Sequence, residues 1–126
     1  MTGDVLVRAA EDDDRIAVLR LLDGAMLAVD HGRIADRIDQ GHALVAETDG
    51  RVVGAILFTP RESGAHVEAV AVQRERRNRG IGSALVESVL DRQGRVTADF
   101  QDDVEPFWRS LGFAVERREG RLWGEK

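Results

Sequence analysis

Asp49-Gly50 stands between two apolar runs, ALVAET and RVVGAILFT, and this pair constrains the fold more than any other stretch of the chain. A two-residue β-hairpin turn needs positive φ at both central positions, which aspartate and glycine adopt at low cost. The two runs therefore read as an antiparallel hairpin. Pro60 and the Ser63-Gly64 pair then end its second strand and open a third, AHVEAVAV (Ala65–Val72). Three strands in succession commit the middle of the chain to an antiparallel sheet, and the flanking segments must cover it.

The flanks supply helices at the right period. VLVRAA (Val5–Ala10) reads as a first strand, and the acidic cluster Asp12–Asp14 offers a helix N-cap with favourable first-turn charge. Val18, Leu21, Leu22 and Ala25 follow at helical spacing, with Ile16 and Leu19 widening the stripe. A second helix carries Ile34, Ala35 and Ile38 and stops at Gly41. Beyond the sheet strands, Ile81, Ala84, Leu85 and Val89 mark a helix, and RVTADF reads as a short buried strand. Asp102 or Asp103 caps a last helix that tolerates Pro106 in its first turn. Val104, Phe107, Trp108 and Leu111 line one face of it, and Gly112 ends it. FAVER and RLWGE, joined at Glu119-Gly120, close the chain as a hairpin. The order β-α-α-β-β-β-α-β-α-β-β predicts a mixed α/β fold: a mostly antiparallel sheet with a central β-α-β crossover and helices on both faces.

With 126 residues, the expectation is a single domain over 1–126. The formal charge of −5 makes a poor general nucleic-acid binder, because that affinity comes from neutralising phosphates. No apolar run approaches the ~20 residues that span a bilayer, and MTGDVLVRAAEDDD lacks the pattern of a signal peptide. The expectation is a cytoplasmic protein with neither membrane nor nucleic acid as partner. Cysteine is absent and the three histidines, His31, His42 and His66, are scattered, so no metal site is expected.

Against this acidic background, RERRNRGIGSALVESVL (Arg74–Leu90) places four arginines directly before Gly80. A solvated loop is one reading. A dinucleotide turn is another, since Gly80-x-Gly82 is followed nineteen residues after Gly80 by Asp99. However, position 85 is leucine, and seven residues (Gln73–Arg79) separate the strand from the glycines, whereas a dinucleotide turn places its first glycine at the strand end. The third reading is an anion cradle, with free N–H groups of residues 80–83 pointing out of a helix N-terminus. Gly80 and Gly82 would let phosphates approach without a Cβ in the way, and Arg77 and Arg79 would add charge-assisted hydrogen bonds. Only this reading explains both the local positive charge and its position.

Arg77-Asn78-Arg79-Gly80-Ile81-Gly82 resembles the Q/R-x-x-G-x-G/A signature of the GNAT superfamily of acetyl-CoA-dependent acyltransferases. The context is also similar: Val70-Ala71-Val72 before it, Ala84-Leu85-Val86 after it, and Phe107-Trp108-Arg109-Ser110-Leu111-Gly112-Phe113 where the family has F-Y-x-x-x-G-F. The resemblance covers about residues 43–113 well, and the N-terminal third by element order. It implies acetyl-CoA as co-substrate and an amine, on a small molecule or a peptide, as acceptor. Val70 and Val72 would bind the pantetheine arm through their backbone, and the amides of Arg77, Asn78, Arg79, Gly80, Ile81, Gly82 and Ser83 would hold the pyrophosphate. The resemblance also allows a homodimer.

For the chemistry, the resemblance implies direct attack of the amine through a tetrahedral intermediate, with the Val70 amide serving the oxyanion. Glu68, an acid within an apolar strand, is the candidate base, and a solvated strand residue paired with an arginine is its bland counterpart. His66 shares its face and could assist through a water. Trp108 stands where many members have a tyrosine that protonates the leaving thiolate; indole N–H is no proton donor at neutral pH, and the chain has no tyrosine. Trp108 is then a packing residue lining the thioester channel. The alternative function is an acyl-CoA-binding module that has lost its chemistry. Gln101 also replaces a common asparagine. Asp30, Asp36 and Asp39 suit a cationic acceptor, and a solvated helix face explains them equally well.

Overall fold

A computed structural model describes residues 5–25 and 29–126. Strand β1 (Leu6–Ala9) leads to α1 (Arg15–Gly24) and α2 (His31–Asp39), then to three successive strands, β2 (Ala43–Thr48), β3 (Arg51–Arg61) and β4 (Gly64–Val72). Helix α3 (Ile81–Gln93) crosses to β5 (Val96–Phe100), and α4 (Glu105–Ser110) precedes the closing strands β6 (Ala114–Arg118) and β7 (Arg121–Glu125). The seven strands form one sheet in the order β1-β2-β3-β4-β5-β7-β6. Every neighbouring pair is antiparallel except β4 and β5, which the α3 crossover makes parallel. The hairpin turns follow their residues: φ is 51° and 76° at Asp49 and Gly50, and 50° and 83° at Glu119 and Gly120.

The sheet is covered on both faces. Val18, Leu22, Ile34 and Ile38 from α1 and α2 pack on Ala43, Val45, Ala55, Leu57, Ala69 and Ala71. On the opposite face, Ile81, Leu85, Val86 and Val89 of α3 and Trp108 of α4 pack with Leu44, Ile56, Phe58, Val67 and Phe100. The alternate residues of β2 and β3 thus serve two separate cores, as expected for strands buried on both sides.

Local details differ from the sequence expectation for physical reasons. Pro60 lies inside β3, paired with Ala65, and the strand runs on to Arg61. Its pairing with β2 begins at Ala43↔Leu57, so beyond that level β3 is an edge on one side, where a missing N–H is tolerated. Asp14 makes no side-chain cap on α1; its carboxylate accepts from Arg8 and from the Glu11 N–H, and a short 3-10 turn (Asp12–Asp14) precedes the helix. Ile16 and Val104, assigned to apolar stripes, are exposed; Val104 lies in a short 3-10 turn (Asp102–Val104) that precedes α4 rather than on the helix itself.

The start of the crossover is packed tightly. Gly64 has φ 149°, and a Cβ there would lie 2.3 Å from the Arg95 carbonyl oxygen, the same atom that accepts from Ala65 N at 2.8 Å. Strain and overlap with backbone cannot be relieved by a rotamer change. Gly64→Ala is expected to cost roughly 2 kcal/mol or more in urea unfolding; an unchanged midpoint would show that this approach of β4 to β5 is not tight.

Candidate active site

Strands β4 and β5 pair at only three positions, Ala65↔Val96, His66↔Thr97 and Val67↔Ala98. From there β4 continues to Val72, while Asp99 and Phe100 of β5 pair with Trp123 and Leu122 of β7. The two central strands therefore part after Val67. Among the described residues, the β4 edge from Glu68 to Val72 that faces away from β3 has no strand partner, and its backbone polar groups are available to an extended ligand.

A bulge marks the parting. Phe58 pairs with Val67 and Leu57 with Ala69, which leaves Glu68 as the extra residue of β4. Its insertion reverses the alternation. Ala65 and Val67 belong to the α3 core, Ala69 and Ala71 to the α1/α2 core, and Val70 and Val72 turn back towards α3.

The arginine-rich loop leads from this edge to the start of α3. Asn78 and Gly80 both adopt left-handed backbone, φ 64° and 82°, and Gly80 is the N-cap residue. The N–H groups that follow it lack helical acceptors, and the helix dipole makes this end partly positive. The two signature glycines do different work. A Cβ on Gly80 would meet nothing within 4 Å, so its surroundings are open. A Cβ on Gly82 would lie 3.1 Å from the Phe107 ring, so there the missing side chain also makes room for α4 packing. Among the described residues, the exposed or half-buried Arg74, Arg76, Arg77 and Arg79 join none of the ion pairs. Arg77 donates through Nε to the Val72 carbonyl at 3.2 Å, tying the loop to the end of β4.

Glu68 points to the α1/α2 face. Its Oε1 accepts from Arg37 Nε at 2.5 Å and from the Thr59 hydroxyl, and Arg33 Nη1 lies 3.5 Å from Oε2. Burial pushes its carboxyl up, but the hydrogen bonds from Arg37 and Thr59 and the two guanidinium charges outweigh this and hold it below the usual value. His66 is buried and does not meet Glu68 through a hydrogen bond; its Nδ1 is 2.8 Å from Thr97 Oγ1, its Nε2 is 2.9 Å from Asp99 Oδ1, and its ring stacks on Trp123. Asp99 in turn accepts from Arg121 at 3.0 Å. Trp108 is 3% exposed and packs among Phe100, Phe107 and Phe113, with centroids 5.0–5.4 Å away.

A family model for the acetyltransferase (GNAT) domain matches residues 39–115. The chain belongs to the GNAT acetyltransferase family. An uncharacterized N-acetyltransferase of Methanocaldococcus jannaschii is 47% identical over 45 residues, a match spanning 36% of this chain and 29% of that protein. Among solved structures, Ard1 from Thermoplasma volcanium superposes with a TM-score of 0.82 at 19% identity, covering 96% of this chain and 95% of that one. Arabidopsis thaliana Naa50, solved with the bisubstrate analogue CoA-Ac-MVNAL, gives 0.75 at 23% identity, with 97% of each chain covered. At these identities the structures establish the GNAT fold. Among the described residues, no helix of this GNAT chain is long and apolar enough to cross a membrane.

Sequence reasoning singled out the glycine signature and Glu68 and offered an arginine as a partner for Glu68, but not which arginines these are. Arg33 and Arg37 lie on a helix 31 residues or more away, and the only signal for them was their i, i+4 spacing on α2. The depressed Glu68 carboxyl has a stability consequence. The folded protein then binds fewer protons than the unfolded chain just below the ordinary value of 4.5, so this stabilisation is present above that pH and is lost as pH falls through the folded pKa. In urea unfolding, Glu68→Gln is expected to lose less stability than wild type between about pH 5 and 3; parallel curves would count against the ion pair.

Proposed function

We propose that this chain, as one GNAT domain, transfers the acetyl group of acetyl-CoA to the amine of a small molecule or peptide. The observation that carries this reading is the parting of β4 and β5 beside an open, positively charged start of α3. The unpartnered edge at Val70 and Val72 suits the amides of a pantetheine arm, and the N–H groups of Gly80, Ile81, Gly82 and Ser83 suit a pyrophosphate. The preceding loop, with Arg77, Asn78 and Arg79, adds charge beside them. Similarity to a fold solved with a CoA bisubstrate analogue carrying a peptide agrees with both halves of the reading.

Acetyl-CoA supplies an activated thioester; the protein supplies position and electrostatics. The backbone N–H of Val70 serves the oxygen on which negative charge develops. The acceptor first loses one proton to solvent and attacks as the free amine; Glu68, ionised at neutral pH, takes the second proton, directly or through one water, as nitrogen bonds to the carbonyl carbon. Such a proton is far more acidic once the nitrogen has attacked, so a weakly basic carboxylate suffices. Trp108 shapes the core behind the parted strands, and the thiolate, a good leaving group, takes its proton from solvent.

The lack of any tyrosine favours one other reading, a CoA-binding module without turnover. Thermal shift with CoA, beside acetyl transfer to a panel of amines and N-terminal peptides, separates the two. Binding with transfer supports the enzyme, and binding with no product on any acceptor supports the module. Gly80→Asp places a negative charge in the open part of the cradle at a backbone conformation aspartate tolerates; CoA affinity is expected to fall at least about 10-fold. Undiminished affinity in a folded variant would overturn the cradle. Glu68→Gln is expected to lower kcat by roughly 100-fold, the smaller end of general-base effects, and an unchanged kcat and pH profile would remove Glu68 from that role.

A further inference from the structure

The two oxygens of Glu68 are held unequally. Oε1 accepts from Arg37 Nε at 2.5 Å and from the Thr59 hydroxyl, two donors that converge on it from α2 and β3. Among the described residues, Oε2 has only the Arg33 Nη1 ion pair, at 3.5 Å, too long for a strong hydrogen bond. The Arg37 side chain is 20% exposed against 54% for Arg33, so the first is packed in place and the second is largely in water. A glutamate carboxyl otherwise rotates broadly about its last torsion. Two donors on one oxygen remove that freedom, and the bulge places Glu68 directly after Val67, the last residue of β4 that pairs with β5.

We infer that Arg37 and Thr59 are positioning residues that anchor Glu68 through Oε1 and leave Oε2 as the oxygen that meets the acceptor amine. This rests on the reading of Glu68 as the base. No bond changes at Arg37 or Thr59: the proton moves from the amine to Oε2, directly or through one water, while Oε1 keeps its two donors. The clamp also spans the fold, because α2 reaches β4 only from the α1/α2 face.

The clamp sets the protonation of Glu68. The groups around it are Arg33, Asp36 and Arg37 on α2 and Thr59 on β3. On the same sheet face lie His66 of β4 and Asp99 of β5, which hold each other, and Arg121 of β7 on Asp99. With Arg37 removed, burial becomes the dominant influence and the carboxyl rises.

The test is a carbon-13 NMR titration of the glutamate side-chain carboxyls, with the Glu68 signal assigned by its loss in Glu68→Gln. In wild type its midpoint is expected below 4.5, the ordinary value for the group. Arg37→Gln is expected to move it above that value, Thr59→Val to move it the same way by less, and Thr59→Ser to restore it. In parallel, kcat is measured with saturating acetyl-CoA and whichever panel amine wild type acetylates. Arg37→Gln and Thr59→Val are expected to lower kcat about 10-fold, with KM for acetyl-CoA within about 2-fold, a loss of positioning without loss of binding. If Arg37→Gln fails to fold, the Thr59→Val and Thr59→Ser pair decides the question. A Glu68 midpoint that does not move overturns the inference, even if the melting temperature drops, because the contact is then only a staple between α2 and the sheet. Full activity in Glu68→Gln instead overturns the base assignment, while the titration still reports on the clamp.

Discussion

The separation of β4 from β5 is the constraint on which the rest of the site depends. A parallel pair needs a crossover, and here α3 provides one that begins beyond the end of β4 and returns the chain to the start of β5. At that start, Ala65 donates to Arg95 and the backbones come as close as a glycine at position 64 allows. Further on, Asp99 and Phe100 of β5 are held by β7, and β4 is held by β3. Each strand follows its own antiparallel partner, and right-handed sheet twist carries them apart. The gap is thus a product of the pairing on either side.

The bulge at Glu68 turns that gap into an asymmetric site. One inserted residue lets β4 present valines to the α3 side and alanines to the α1/α2 side within a single strand. The α3 side receives the open helix start and the arginine-rich loop, which gather positive charge in a chain of net charge −5. The opposite side receives Glu68 with Arg33 and Arg37, and the His66–Asp99–Arg121 network. Close packing maintains the arrangement: a Cβ on Gly54 of β3 would lie 3.0 Å from Ile81 and 3.1 Å from Leu85, so α3 starts almost against the sheet.

Much of this was legible in the residues. The Asp-Gly and Glu-Gly turns, the period of the α1 and α2 stripes and the glycine signature gave the element order and a mixed sheet, because local backbone chemistry decides those features. Stripe edges were less legible: Ile16 and Val104 have the right spacing, yet both are exposed, and Val104 ends a 3-10 turn before α4 begins. Pro60 read as a strand end because sequence does not reveal which stretch of β3 lacks a neighbour. The packing of Phe107, 25 positions away, against Gly82 was not legible either, because only the tertiary fold brings α4 there.

By itself, then, the sequence determined the hairpins, the crossover helix and the arginine and glycine signature before its N-terminus. Each of these depends on residues within a few positions of one another, whose φ preferences, hydrogen-bonding groups and periodicity act locally. Tertiary structure alone decided that Glu68 sits on a bulge, that Arg37 and Thr59 take hold of one of its oxygens, and that Asp99 occupies His66. Those contacts join residues far apart in the chain, and no local preference encodes which of many arginines reaches a given carboxylate. Register and helix placement make that choice, because they fix which charged groups are buried close enough together to interact strongly.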